Sequence, residues 1–220
     1  MDPFALILLI ISGVAWTIVY VESIRIGFKK KTYCMPLWAL GLNICWELIY
    51  AFKGITNPSV QAIANAVWAC CDLLIVVTYF KFGKNKLPEK ARDIFIPYSV
   101  LAFVSCFVLQ LAFILHFENY VEAAQYSAFL QNVAMSILFI VMLYKRNSSE
   151  EQSMLIAVAK WLGTLAPTIQ QGIVQGFNIF ILMTGILCSA WDIAYIILLK
   201  KKMNEEEGKQ EKYAIQRRTD

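Results

Sequence analysis

Apolar residues recur along this 220-residue chain in seven stretches, at 3–26, 34–53, 60–80, 94–115, 122–144, 154–170 and 176–199. A helix rises about 1.5 Å per residue, so about 20 such residues cross the roughly 30 Å hydrocarbon core of a bilayer. The sixth stretch is the least regular, because Lys160 and Pro167 interrupt it. The pattern predicts an all-α polytopic membrane protein, a seven-transmembrane-helix bundle spanning 1–200. Residues 201–220 switch to Lys, Glu, Gln and Arg and read as a charged, solvated cytoplasmic tail.

Polar residues inside the stretches fall at helical spacing. Asn43, Glu47 and Tyr50 share one face of the second helix, and Gln61, Asn65, Trp68 and Asp72 share one face of the third. The fifth carries Gln125, Asn132 and Ser136, and the seventh carries Asn178, Gly185, Asp192 and Tyr195. Lipid satisfies no hydrogen bonds, so these stripes must face the bundle interior. Two words echo each other, Trp46-Glu47-Leu48-Ile49-Tyr50 and Trp191-Asp192-Ile193-Ala194-Tyr195, each placing a carboxyl between rings. Helical rise puts Glu47 roughly 16 to 20 Å, Asp72 about 12 Å and Asp192 about 10 Å from the inner ends of their spans. The three acids are thus expected to converge on the central third of the membrane.

Charge gives the orientation. Of the 20 Lys and Arg residues, 18 fall in alternate loops and the tail, Arg25 and Lys29 to Lys31 forming the first group. Positive residues stay on the cytoplasmic side, which predicts the N-terminus outside and the C-terminus inside. The net charge of +4 belongs to that inner face and indicates anionic lipid rather than nucleic acid. The first span lacks the basic leader of a signal peptide and reads as a retained helix. Six cysteines without a CxxC pair indicate neither a disulfide framework nor a zinc site.

Interhelical hydrogen bonding alone explains Asn43, Asn65, Gln125 and Asn132, but Asn or Gln would serve as well as an acid in that role, without the hazard of ionisation. Glu47 and Asp192 are therefore candidate functional acids. A low-dielectric interior favours the neutral form of a carboxylic acid, and a second carboxyl nearby favours it further. A neutral acid in a dry pocket is a proton donor. The rings of Trp46, Tyr50, Trp68, Trp191 and Tyr195 would line that pocket, and ring faces attract cations. No GxSxG, Walker, HExxH or dinucleotide pattern is present, His116 stands alone, and no DDxxD-type acidic cluster is placed to hold magnesium. The expected chemistry is started by a proton, with no metal and no cofactor.

The set Asn43-x-x-Trp46-Glu47-x-x-Tyr50, Asn65-x-x-Trp68-x-x-x-Asp72 and Asp192-x-x-Tyr195, in a seven-span chain of this size, resembles the integral-membrane terpene cyclases of fungal meroterpenoid and indole-diterpene pathways, the paxilline and pyripyropene cyclase-like family. The resemblance implies cyclisation of a prenyl or epoxyprenyl chain borne on an aromatic, polyketide or indole head group. It makes Glu47 the acid and Asp192 its proton partner or the base that ends the cascade, with the assignment open to reversal. Asn65 and Asp72 would support them. The implied partners are a lipophilic prenylated or epoxyprenylated small molecule and membrane lipid, with no obligate protein partner. The location would be the endoplasmic reticulum in a eukaryote and the plasma membrane in a bacterium. A small proton-coupled transporter is the competing expectation, since intramembrane carboxylates often couple protons to solutes. An assembly protein held together by polar stripes is a third.

Overall fold

A computed structural model describes residues 2–219, with the backbone alone described for 212–215 and 217–219. Seven α-helices account for most of it: α1 (Pro3–Lys30), α2 (Leu37–Thr56), α3 (Val60–Phe82), α4 (Phe95–His116), α5 (Tyr120–Arg146), α6 (Met154–Ile169) and α7 (Ile179–Thr219). Their starts follow local chemistry. The Asp2 side chain accepts from the Ala5 amide ahead of Pro3, Ser59 caps α3 through the Ala62 amide, and Asn119 caps α5 through the Val121 amide. Lys31 and Asn147 adopt left-handed backbone angles that end α1 and α5.

Five helices, α1, α3, α4, α5 and α7, are long and apolar enough to cross a membrane. The other two fall short for different reasons: Asn43, Glu47 and Lys53 dilute the apolar run of α2, and α6 is short. At 16 residues α6 is about 24 Å long, and a π-helical turn at Gln170–Val174 prolongs it. Many large apolar side chains on α1, α3, α4 and α7 stay exposed, among them Ile10, Val67, Leu101 and Ile186, as a lipid-facing surface requires.

Helix pairing runs α1 to α6, α6 to α7, α7 to α5, α5 to α2, α2 to α3 and α3 back to α1, which closes a ring of six helices; α4 packs outside it against α2 and α5. The α1–α6 seam has a covalent cause. Pro167 has no amide hydrogen, so the carbonyl four residues earlier, that of Gly163, loses its helical donor. The Ser12 hydroxyl (2.8 Å) and the Trp16 indole (3.2 Å) on α1 both donate to it. Gly163 also lets Trp16 lie close, since a Cβ there would sit 3.0 Å from the indole. The proline that makes the sixth stretch look irregular thus creates the acceptor that closes the ring.

The last helix departs from the sequence expectation. The polar segment after Leu199 continues α7 as a largely exposed helix, and two of its side chains reach the α5–α6 loop: Ser149 donates to Glu206 from both its amide (3.1 Å) and its hydroxyl (2.5 Å), and Lys202 donates to Asn147 at 2.6 Å. At the same end Glu151 bridges Lys86 and Arg146, and the Arg146 guanidinium lies 4.2 Å from the Tyr33 ring centre.

Candidate active site

Two groups of buried polar side chains lie within the bundle. The first is built on α1, α2 and α3. Glu47 and Asp72 are 1% and 0% exposed. Asn43, one turn before Glu47, holds its amide nitrogen 2.7 Å from the Tyr20 hydroxyl, 2.9 Å from Asp72 Oδ2 and 3.1 Å from Glu47 Oε1. That nitrogen has two hydrogens, so it serves at most two of the three acceptors at once. The Tyr20 hydroxyl donates to Glu47 Oε1. Behind Asn43, Gln131 on α5 donates to Asn43 Oδ1 (3.3 Å), and Gln110 on α4 donates to Gln131 (2.7 Å). The Asn43 amide nitrogen thus brings the Glu47 and Asp72 carboxyls together, and among the described residues no Lys or Arg forms an ion pair with either.

The second group joins α5, α6 and α7. Lys160 and Asp192 are each 1% exposed, and Lys160 Nζ lies 2.7 Å from Asp192 Oδ1 and 2.7 Å from Ser136 Oγ. Ser136 in turn donates to the Asn132 carbonyl (2.8 Å). Asp192 Oδ2 is buried with no donor. Glu47 and Asp192, paired by the sequence echo, are not hydrogen-bonded to each other and have different partners.

The rings divide in the same way. Trp68 stacks on Tyr20 with centroids 5.9 Å apart and donates to Thr17 at 3.2 Å, so it walls the first group. Asn65 is buried two turns from Asp72 and accepts from Gln61 at 2.8 Å. Trp46 donates to the Ala124 carbonyl and the Ser127 hydroxyl, both at 3.1 Å, and packs on buried Tyr50 with centroids 4.9 Å apart. That pair ties α2 to α5. Trp191 does not share the burial of Asp192: it is 38% exposed, because adjacent helical residues point about 100° apart and Asp192 takes the inward direction. Tyr195 is buried, donates to Gln152 in the loop just before α6 and packs on Phe139.

Sequence reasoning did not find Tyr20, Gln110 or Gln131 as members of the first group, and it treated Lys160 only as an interruption. Signals existed. Ser12, Trp16 and Tyr20 recur at every fourth position of α1, and a lone intramembrane lysine needs an acid. Among the described residues no group of three or more His, Cys, Asp or Glu is placed to hold a metal ion.

A model of the Pyr4-like transmembrane terpene cyclases matches residues 1–178. The chain is 30% identical over 162 residues to the Pyr4-family terpene cyclase mfmH of Annulohypoxylon moriforme, covering 72% of this chain and 66% of that protein, just under two thirds of its length. It is 25% identical over 221 residues to terpene cyclase pyr4 of Aspergillus fumigatus, covering 94% of this chain and 90% of that one. With terpene cyclase andB of Emericella variicolor it shares 27% identity over 165 residues, 72% of this chain and 68% of andB. No solved structure matches it. A family model that matches most of the length, on a chain of multiple apolar helices, shows where it stands: this chain belongs to the Pyr4-like transmembrane terpene cyclases.

Proposed function

We propose that this protein cyclises a prenyl or epoxyprenyl chain carried on an aromatic, polyketide or indole head group, and that Glu47 supplies the initiating proton. The observation that carries the reading is that two buried acids, Glu47 and Asp72, lie within reach of one amide nitrogen, that of Asn43, with no basic side chain among the described residues paired to either. Two such carboxyls cannot both ionise at low cost, so the pair stores a proton. Tyr20 and Asn43 occupy Glu47 Oε1 and fix the acid's direction.

The proton passes from Glu47 to the oxirane oxygen or the terminal alkene carbon. In the first case the C–O bond opens, the oxygen becomes a hydroxyl and a carbocation remains. The face of Trp68 turned away from Tyr20 then stabilises positive charge nearby, by about 0.5–2 kcal/mol in a desolvated setting. Asp72 takes the part of proton partner to Glu47, leaving Asp192, which is paired elsewhere, for the end of the cascade. A lipid-dissolved chain would enter between α2 and α3, where an open apolar groove of about 420 Å³ is lined by Ala51, Gly54, Ala62, Ala66 and Cys70. In the orientation that the lysine distribution favours, N-terminus outside, the groove belongs to the outer leaflet.

Membranes containing the protein are to be incubated with a panel of prenylated and epoxyprenylated aromatics and searched for products isomeric with each substrate. Glu47→Gln keeps the shape of the side chain and removes its acid. A folded E47Q protein is expected to lose about 10²- to 10⁴-fold of the turnover; product formation at the parental rate rejects Glu47 as the proton donor.

A further inference from the structure

We infer that Lys160 is a positioning residue that holds Asp192 as the carboxylate ending the reaction, so that one turnover uses an acid and a base kept apart on two faces of α5. The inference rests on the proton-initiated reading above.

The two acid sites are opposite in construction. Glu47 meets another acid, whereas Asp192 meets an ammonium group at 2.7 Å. Lys160 is oriented from its other side by Ser136, also at 2.7 Å. The ammonium engages only Asp192 Oδ1, and Oδ2 is left buried without a donor. With Oδ1 held by the ammonium, Oδ2 is the oxygen left to take the proton of a C–H beside a carbocation, which is acidic enough for even a weak base.

The separation also suits the chemistry. Gln131, the α5 contact of the first site, and Ser136, the α5 contact of the second, are five residues apart, about 7.5 Å along the helix and about 140° around it. Each ring closure moves positive charge along the prenyl chain, away from the carbon where the proton entered. The proton that leaves is therefore lost several carbons from Glu47. At that end a C–H bond next to the final cation breaks, its electron pair becomes the new C=C bond, and Asp192 Oδ2 takes the proton. One proton enters and one leaves, so product and substrate are isomers. Exchange with water after product release resets both acids.

Packing alone is the competing explanation, and it makes a different prediction. A buried ion pair that only holds helices together can be replaced by neutral side chains at little cost in stability, whereas removing one partner strands a buried charge. The test uses the whole protein in membranes with Lys160→Met, Lys160→Arg and the double variant Lys160→Met/Asp192→Asn, alongside E47Q. Folded protein is measured by size exclusion and thermal unfolding, and products by mass and chromatography. We expect the double variant to fold and yet lose about 10²-fold or more of the parental cyclic alkene, with water-captured alcohols taking its place. K160R, which keeps a cation beside Asp192, is expected to retain the parental product. A double variant that forms that product within about threefold of the unmodified rate, or a K160R protein no better than K160M, overturns the inference. Retained turnover in E47Q would instead overturn the proton-initiated reading, so the two failures are distinguishable.

Discussion

Asn43 is the hub of the first site, and Asn43→Leu removes its hydrogen bonds while nearly keeping its volume. The amide nitrogen serves two acceptors at a time out of Tyr20, Asp72 and Glu47, and the amide oxygen takes one bond from Gln131. Three bonds are lost at any moment. Interhelical hydrogen bonds in membrane bundles average about 0.6 kcal/mol each, so N43L should destabilise the fold by about 2 kcal/mol, and by more if the acids are left short of donors in the buried site. Reversible unfolding in mixed micelles measures this directly. A double-mutant cycle with Gln131→Leu isolates the α2–α5 bond, with an expected coupling of about 0.6 kcal/mol. If N43L unfolds within about 0.5 kcal/mol of the parent protein, Asn43 does not organise the cluster and the network argument fails.

Three further outcomes follow from the packing. Trp191→Ala should leave turnover within about threefold and stability within about 0.5 kcal/mol, as befits a lipid-facing residue; a large loss in the cyclisation assay would return Trp191 to the site. Gly185→Ala should lower stability by about 1–3 kcal/mol, because the new methyl group collides with the Thr168 side chain, and the added change Thr168→Ala should recover part of it on thermal unfolding. At the lysine-rich end, burial tends to raise the Glu151 pKa, but the hydrogen bond from Lys86 and the charge of Arg146 outweigh it and hold the carboxyl below its ordinary value of 4.5. Its folded-state pKa is depressed, so its contribution is complete above the ordinary carboxylate range and is lost as pH falls through it. Thermal unfolding should therefore show a pH dependence over that window that is smaller in Glu151→Gln, and identical pH profiles would show that the pairing of Glu151 with Lys86 and Arg146 contributes nothing to stability.

Most of the architecture was legible because membrane helices announce themselves by length, and the Asn43–Glu47 and Asn65–Asp72 stripes by helical spacing. What spacing does not carry is which stripe meets which. The echo of Trp-Glu and Trp-Asp suggested one shared pair of acids, yet Glu47 meets Asp72, reached by adjacent antiparallel helices, while Asp192 meets Lys160. Lys160 looked like a defect in a span because a single sequence shows its cost and not its partner. Trp191 looked like a pocket wall because neighbours in sequence were read as neighbours in space, which a helix forbids. The helical form of the segment after Leu199 was hidden for another reason: a stretch of Lys and Glu is equally at home as a solvated strand of chain or as a helix held by a few polar contacts, such as those of Lys202 and Glu206.

The seam made by Ser12, Trp16 and Gly163 sets a timetable for biogenesis. Ser12 and Gly163 are 151 residues apart, and at a synthesis rate of roughly 5–20 residues per second the first helix waits on the order of 8–30 s for its partner to leave the ribosome. Tyr20, Asn43, Glu47 and Asp72, by contrast, all belong to the first three helices. The half of the protein that holds Glu47 and Asp72 therefore leaves the ribosome before the half that holds Lys160 and Asp192.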